Sequence, residues 1–291
     1  MGVCLLISSA TYSQINCLPD SLIPGWRIKF KQELEYSISF STYLYLNWHH
    51  EKNAGNVILL QKLNYQFSLS GDSLVKFSGS LVHDLGIQSY FDSITKVHTD
   101  DNTLNTRFEI RIVKNLSFSI NSNLASQLLK GYDYPVNNSG TTVRTLNSSF
   151  FTPLLWTFSG GFSVTWPAFG SLSFGLSSAK LTYIRDRSIF EKQKVSKFYG
   201  VAGGKNHLFE SGLSMQLLVD KNFCNRVKWN CDLLVFKNYN SPVDVTLKNN
   251  FGIRINNFLK AGIQTRILYE ETISRSIQFE NLVTFGVFVH L

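Results

Sequence analysis

Apolar and polar residues alternate along this chain with a period of two, and they do so nearly from end to end. The C-terminal segment is the clearest case. Ile277, Phe279, Val283, Phe285, Val287, Val289 and Leu291 share one parity, broken only by Asn281, with Gln278, Glu280, Leu282, Thr284, Gly286, Phe288 and His290 between them. Successive side chains of a strand point to opposite faces, so this spacing predicts a strand with one apolar face. Residues 57–69 repeat it, setting Val57, Leu59, Leu63, Tyr65, Phe67 and Leu69 against Lys62, Asn64, Gln66 and Ser68. Residues 243–255 and 259–269 read the same way. Further alternating segments at 27–46, 74–85, 103–113, 116–128, 154–166, 171–184, 206–219 and 227–239 bring the predicted set to twelve strands. Many run past ten residues, about twice the usual length in globular domains.

The connections decide the architecture. Short turns at 71–73, 114–115, 167–170, 221–226 and 256–257 alternate with connections at 47–56, 86–102, 129–153, 185–205, 240–242 and 270–275, most of them long. That alternation predicts an antiparallel meander whose two ends differ. Bacterial outer-membrane barrels have an even strand number, short periplasmic turns, longer external loops and strands that alternate apolar-out and polar-in. Closure gives every backbone N–H and C=O a partner inside lipid. The predicted fold is therefore all-β, a single twelve-stranded antiparallel up-and-down transmembrane barrel over residues 26–291, placed in the outer membrane of a Gram-negative cell. A soluble barrel or sandwich would carry shorter strands and a charged exterior.

Composition agrees with this. Of 291 residues only 16% are charged, against about 25% in a typical soluble domain, while Phe, Tyr and Trp number 23, 12 and 5. No apolar run approaches the roughly 18 residues of a membrane-spanning helix. Trp26, Tyr43, Tyr45, Trp48, Tyr90, Phe91, Trp156, Trp166 and Phe169 fall near predicted strand ends, where aromatic girdles sit at the two membrane interfaces.

The N-terminal run Val3-Cys4-Leu5-Leu6-Ile7 followed by Ser8-Ser9-Ala10 reads as the back half of a signal peptide without its basic n-region. Residues 1–13 are assigned to it, with cleavage before Gln14, and 14–25 to a short periplasmic segment. Cys17 lacks a convincing lipoprotein box. A Cys224–Cys231 disulfide across a tight hairpin is compatible with the spacing.

Several local motifs carry a resemblance. Asn47-Trp48 followed by Gly55, Gly131-Tyr132-Asp133-Tyr134-Pro135, the strand from Leu172 through Ser178 to Lys180-Leu181-Thr182, and Tyr199-Gly200-Val201 stand in this order. Together they resemble a family of outer-membrane β-barrels of unknown function found in Bacteroidota, with its N-W…G, G-Y-x-Y-P, S-P-x-x-x-K-L-T and F-G-V signatures. The resemblance covers roughly residues 26–291. It implies an outer-membrane barrel and supplies no activity. The second Gly after N-W is absent and Ser178 replaces the Pro, which weakens these motifs as functional markers.

No residues assemble into a catalytic or cofactor site in the sequence. His49-His50-Glu51 alternate across a strand with no further metal ligand positioned. Asp100-Asp101 is read as a solvated loop pair. His83 is flanked at spacing two by Leu81 and Leu85, where a lipid-facing hydrolase would need a Ser. Enzyme, metal and cofactor chemistry are therefore not expected. The net charge of +8 would suggest nucleic acid in a cytosolic protein, a partner excluded by this setting. Arg27, Lys29 and Lys31 are expected on the lumenal face with Glu33 and Glu35, and so are Lys260 and Arg266. Arg185, Arg187, Lys192, Lys194, Lys197 and Lys205 make loop four basic. Simple attraction would draw anions to such a lumen and lipopolysaccharide phosphates to such a rim. The expected partners are outer-membrane lipid and lipopolysaccharide, the barrel-insertion machinery that reads the terminal strand, and a second envelope protein. The expected function is a narrow pore for small polar or anionic solutes. The alternative is a non-conducting accessory barrel that meets an envelope complex through its external loops.

Overall fold

The computed structural model describes residues 28–46, 57–71, 74–89, 95–134, 143–166, 169–193, 195–224, 226–239, 243–256, 259–270 and 274–290. The long strands are β1 (Ile28–Leu46), β2 (Val57–Gly71), β3 (Val75–Ser89), β4 (Thr95–Val113), β5 (Leu116–Ser126), β8 (Leu154–Trp166), β9 (Gly170–Tyr183), β12 (His207–Phe223), β13 (Val227–Asn238), β14 (Val243–Arg254), β15 (Leu259–Glu270) and β16 (Ser274–His290). Each pairs antiparallel with its neighbour in the chain order of this set, and β1 pairs with β16, from Glu35 opposite His290 to Leu46 opposite Phe279. The sheet is thus a closed barrel of twelve strands. The connections add small elements on one rim: the ribbon β6 (Gly131–Asp133) with β7 (Thr145–Ser148), the helix α1 (Ser188–Gln193), and the ribbon β10 (Lys197–Phe198) with β11 (Val201–Ala202).

Alternation sets which side each residue takes. Register aligns Phe118 of β5 with Phe162 of β8, and Phe162 with Phe174 of β9. All three rings face out, the first two in edge contact at 6.1 Å between centroids. Phe40, Leu176, Phe209 and Phe285 are more than half exposed on the same outer surface. Water would not tolerate so continuous an apolar belt on a monomer, but hydrocarbon favours it. The inner parity holds Ser, Asn, Gln and charged residues. Trp156 stands in the outer belt with its indole N–H donated to the Ser122 hydroxyl at 2.9 Å, an amphipathic pairing suited to an interface.

Two expectations change. The connection expected at 86–102 shrinks to 90–94, because β3 runs on to Ser89 and β4 begins at Thr95. Polar residues on both parities hid these extensions. Backbone pairing holds them, with one bulge between Gly86 and Ile87, so Asp100-Asp101 lies in a strand and not in a loop. Cys224 and Cys231 are free thiols. Register puts Cys231 opposite Val219, while Cys224 sits in the turn beyond Phe223, so the two do not face each other across the hairpin.

The expected signal and periplasmic segments, 1–13 and 14–25, lie outside the described residues. So do Trp26, Arg27, Asn47, Trp48, Tyr90, Phe91 and Pro135.

Candidate functional site

The lumen is the site this fold builds. A cavity of about 1840 Å³ runs up from the short-turn rim, where Trp166, Phe169, Asp220 and Asn222 line it, as far as Lys62, Asp84, Asp101, Asp232 and Lys248. Of the residues expected to face inward, Lys29, Lys31, Glu33, Glu35 and Lys260 stand in this lining. Arg266 lies at its upper limit, 3.6 Å from Asp101. The sequence did not single out the charges that accompany them. The described lining carries the cations Lys29, Lys31, Lys62, Lys76, Arg107, Lys228, Lys248 and Lys260, and the carboxylates Glu33, Glu35, Asp84, Asp101, Glu109, Asp220 and Asp232. Eight cations against seven carboxylates leave this stretch of the lumen close to neutral.

Several of these charges are paired, across strands or along one. Lys260 Nζ donates to Glu35 Oε1 at 3.0 Å and Lys62 Nζ to Asp84 Oδ2 at 3.3 Å. Arg107 pairs with Glu109 at 3.0 Å and donates to the Ser171 hydroxyl at 3.2 Å, while the Ser163 hydroxyl donates to Glu109 at 3.3 Å. Asn123 donates to Asn105 beside them.

Toward the loop rim, described residues of the inner face are buried. Ile58 and Leu60 of β2 pack with Leu282 of β16 in a small apolar cluster, all three buried. Beyond the cavity lining, Lys180 Nζ donates to Asp244 Oδ2 at 3.2 Å and lies 3.9 Å from Glu210, whose other oxygen accepts from Asn238 at 2.8 Å. Lys180 is the lysine of the K-L-T motif. Its partners sit on β12 and β14 and could be found only once strand order was known. Ser178, where the resembling family has Pro, shares a hydroxyl contact of 2.7 Å with Ser214 at a bulge between Gly212 and Ser214.

The outer surface carries a second polar set. His83 Nδ1 meets Asn102 Oδ1, Asn102 donates to Asp100 at 2.8 Å, and Asp100 accepts the backbone amides of Leu128 and Leu129, the former at 2.7 Å. Alternation thus separates His83 from Asp84 and Asp100 from Asp101. Asp100 ties the chain leaving β5 to the edge of β4, a positioning role. The nearest same-face positions to His83 along its strand are Leu81 and Leu85, neither a nucleophile.

At the loop rim, Ile184, Ile189, Phe190, Phe198 and Val201 form a separate buried core, with Val195, Tyr199 and Leu208 packed against it. Asp186 starts α1. Its carboxylate accepts from the Ser188 hydroxyl at 2.7 Å, the Ser188 amide at 3.1 Å and the Ser149 hydroxyl at 3.4 Å. The Ser188 hydroxyl above all, with its amide, Lys192 and Ser149 adding to it, holds this carboxyl below the usual carboxylate range against a smaller effect of burial. Gln193 reaches the Leu146 carbonyl at 3.0 Å, joining loop four to loop three. Gly131 donates its amide to the Ser148 hydroxyl at 3.0 Å, and Tyr132 lies beneath the Arg144 guanidinium at 3.6 Å. Tyr134 follows β6 on the same loop and is half-buried. The described part of the G-Y-x-Y-P motif is therefore loop structure at the rim, away from the cavity.

A closed antiparallel barrel with an apolar exterior, a polar lumen, short turns at one rim and long loops at the other is an outer-membrane β-barrel protein. No family model and no curated protein matches the chain. Among solved structures it is similar to the translocator domain of autotransporter NalP from Neisseria meningitidis, at 10% identity and a TM-score of 0.34 over 92% of this chain and 88% of that one. An outer membrane channel from Pseudomonas putida F1 gives 8%, 0.39, 89% and 94%, and the KdgM porin in complex with disordered oligogalacturonate gives 9%, 0.33, 86% and 98%. The assignment of the fold rests on this chain's own strand pairing, not on these likenesses.

Proposed function

We propose that the protein is a narrow pore for small polar solutes, open to the periplasm and closed toward the loops in the form described. The observation that carries this reading is the polar cavity of about 1840 Å³ rising from the short-turn rim. A barrel serving only as a scaffold has no need of so large an interior void, since a twelve-strand lumen can be filled by side chains. The near balance of lining charge removes the ground for a preference for anions. The basic residues Arg185, Arg187, Lys192, Lys197 and Lys205 are exposed at the loop rim instead, where they meet lipopolysaccharide phosphates.

Single-channel recording in planar bilayers tests the proposal. Small ohmic steps with weak ion selectivity are the expected result. A refolded barrel, verified by its heat-modifiable gel mobility, that gives neither current steps nor solute flux in proteoliposome swelling overturns it and returns the accessory role.

A further inference from the structure

The near balance of charge in the lumen is a sum, and it is unevenly spread along the barrel axis. At the upper limit of the cavity Lys62 and Lys248 meet Asp84, Asp101 and Asp232, two cations against three carboxylates. Of the eight cations and seven carboxylates in the lining, six and four therefore lie toward the short-turn rim. A side recess of about 460 Å³ opens there, beside the turn after β12 and the end of β14, and its lining adds Arg226 and Arg254. The mouth then carries eight cations against four carboxylates.

Within the recess the excess is local. Arg226, Lys228, Arg254 and Lys260 share the lining with Glu33 and Glu35, and Lys260 donates to Glu35 at 3.0 Å. Each carboxylate neutralises one cation, so two positive charges remain in excess whatever the pairing. Strand order gathers them. The Arg254 amide donates to the Arg226 carbonyl at 2.7 Å, and Arg254 stands opposite Lys260 in register. Three cations thus take neighbouring positions on adjoining strands, where like charges repel. An anion between them relieves that repulsion. Gly252, opposite Lys228 in register, supplies room, since a Cβ there would lie 3.0 Å from Lys260 Cε. Arg226 and Arg254 are exposed and Lys228 is half-buried, so solute reaches all three. A concavity lined by one sign of charge focuses its field on the space it encloses. The volume falls within the roughly 300–1,000 Å³ of small-molecule sites, and the arginine forks match the paired oxygens of a carboxylate or phosphate.

We infer that this recess is a binding site for small doubly charged oxyanions, the dicarboxylates or phosphate monoesters, entering at the short-turn mouth of the barrel. Two bound negative charges neutralise the recess, whereas a monovalent anion leaves it charged. The site goes beyond the pore reading, and binding there does not require conduction.

The test titrates the full refolded barrel calorimetrically in detergent at low ionic strength and about pH 8, where a phosphate monoester is doubly charged. The probes are succinate, glycerol 1-phosphate, acetate and ethylammonium. Saturable binding of succinate or glycerol phosphate is expected, at least fivefold tighter than that of acetate, and weakened by added salt. R226Q should weaken it at least fivefold, and R226Q/R254Q further. G252L, which fills the recess without changing its charge, should weaken it too. K114Q removes one positive charge from the exposed turn after β4 at the same rim, outside the recess, and should leave the affinity within twofold. Heat-modifiable mobility confirms that each variant is folded. Tighter binding of succinate assigns the site to dicarboxylates, and tighter binding of glycerol phosphate to phosphate monoesters. The absence of saturable binding of either dianion overturns the inference, as does acetate binding as tight as both, or a loss in K114Q equal to that in R226Q. A barrel that binds a dianion yet passes no current overturns the pore reading and leaves the site standing. One that conducts and does not bind does the reverse.

Discussion

Two ion-pair systems in this lumen use the same side chains to different ends. Lys180, Glu210 and Asp244 lie on β9, β12 and β14, close along one wall, with side-chain exposures of 12%, 7% and 16% and separations of 3.9 and 3.2 Å. Asp101 and Arg266 lie on opposite walls, with exposures of 44% and 35% and a separation of 3.6 Å. The first set is fenced by its own hydrogen bonds, since Asn238 donates to Glu210 at 2.8 Å. In the second, Asp101 lines the open cavity. Burial makes the wall-bound set costly to disturb and gives it nothing to exchange with. Exposure makes the cross-lumen pair cheap to disturb and accessible. The difference separates charge that holds a wall in shape from charge that can take part in binding.

The sharpest way to break this comparison is to remove one partner from each. Lys180→Met keeps most of the length of the side chain and removes the lysine charge from between the buried Glu210 and Asp244. Such a loss costs about 3–5 kcal/mol, read as a lower denaturant midpoint in detergent. Asp101→Asn, at an exposed pair, should cost at most about 1 kcal/mol by the same measurement. Equal losses would mean that the two systems are one mechanical network, and the assignment of separate roles would fail.

Lys260 and Glu35 sharpen the scale between these extremes. Their pair is short, 3.0 Å, yet exposed at 37% and 22%. If exposure rather than distance sets the cost, Glu35→Gln should lose no more than about 1 kcal/mol, closer to Asp101→Asn than to Lys180→Met. A loss near that of Lys180→Met would make distance the governing variable.

The barrel was legible because lipid imposes a constraint along the chain itself. A strand such as 57–69 must show apolar residues at one parity throughout its span, and nothing else in the fold relaxes that demand. The constraint ends where the membrane ends, which is why Thr95 to Asn102 read as loop: their pairing needs only backbone, so both parities may be polar. Parity alone gave the expectation that Lys29, Lys31, Glu33 and Glu35 share the lumenal face, and they stand in the cavity lining together with Phe30, Gln32 and Leu34 of the other parity. Pairing was not legible. Glu210 and Asp244 become partners of Lys180, and Asp101 of Arg266, only after the sheet closes, and no spacing in the chain encodes that. The net charge misled for a related reason. It is a sum over the chain, whereas the field in the lumen depends on which charges share it, and there eight cations meet seven carboxylates.

Asp186 extends the comparison to a carboxylate held mainly by dipoles. Its partners are two hydroxyls and an amide in the external loops, at 2.7 to 3.4 Å, with Lys192 adding only a weaker attraction. These donors favour the charged form, so its pKa in the folded loops lies below the ordinary value of 3.8. A carboxyl depressed on folding contributes stability that is complete above its unfolded pKa and is lost as pH falls through the folded one. The loop core of Ile184, Ile189, Phe190, Phe198 and Val201 should therefore keep its hydrogen-exchange protection from pH 7 down to about 5 and lose some below about 4. Asp186→Asn should weaken protection at pH 7 and flatten that acid response, while the amides of β9 and β12 stay unchanged in both proteins. The effect is the smallest of the series because water reaches the site. Its value lies in locality: an acid response shared by the strand amides would show that the loop core and the barrel open together, and the wall-bound charges would then hold more than their own wall.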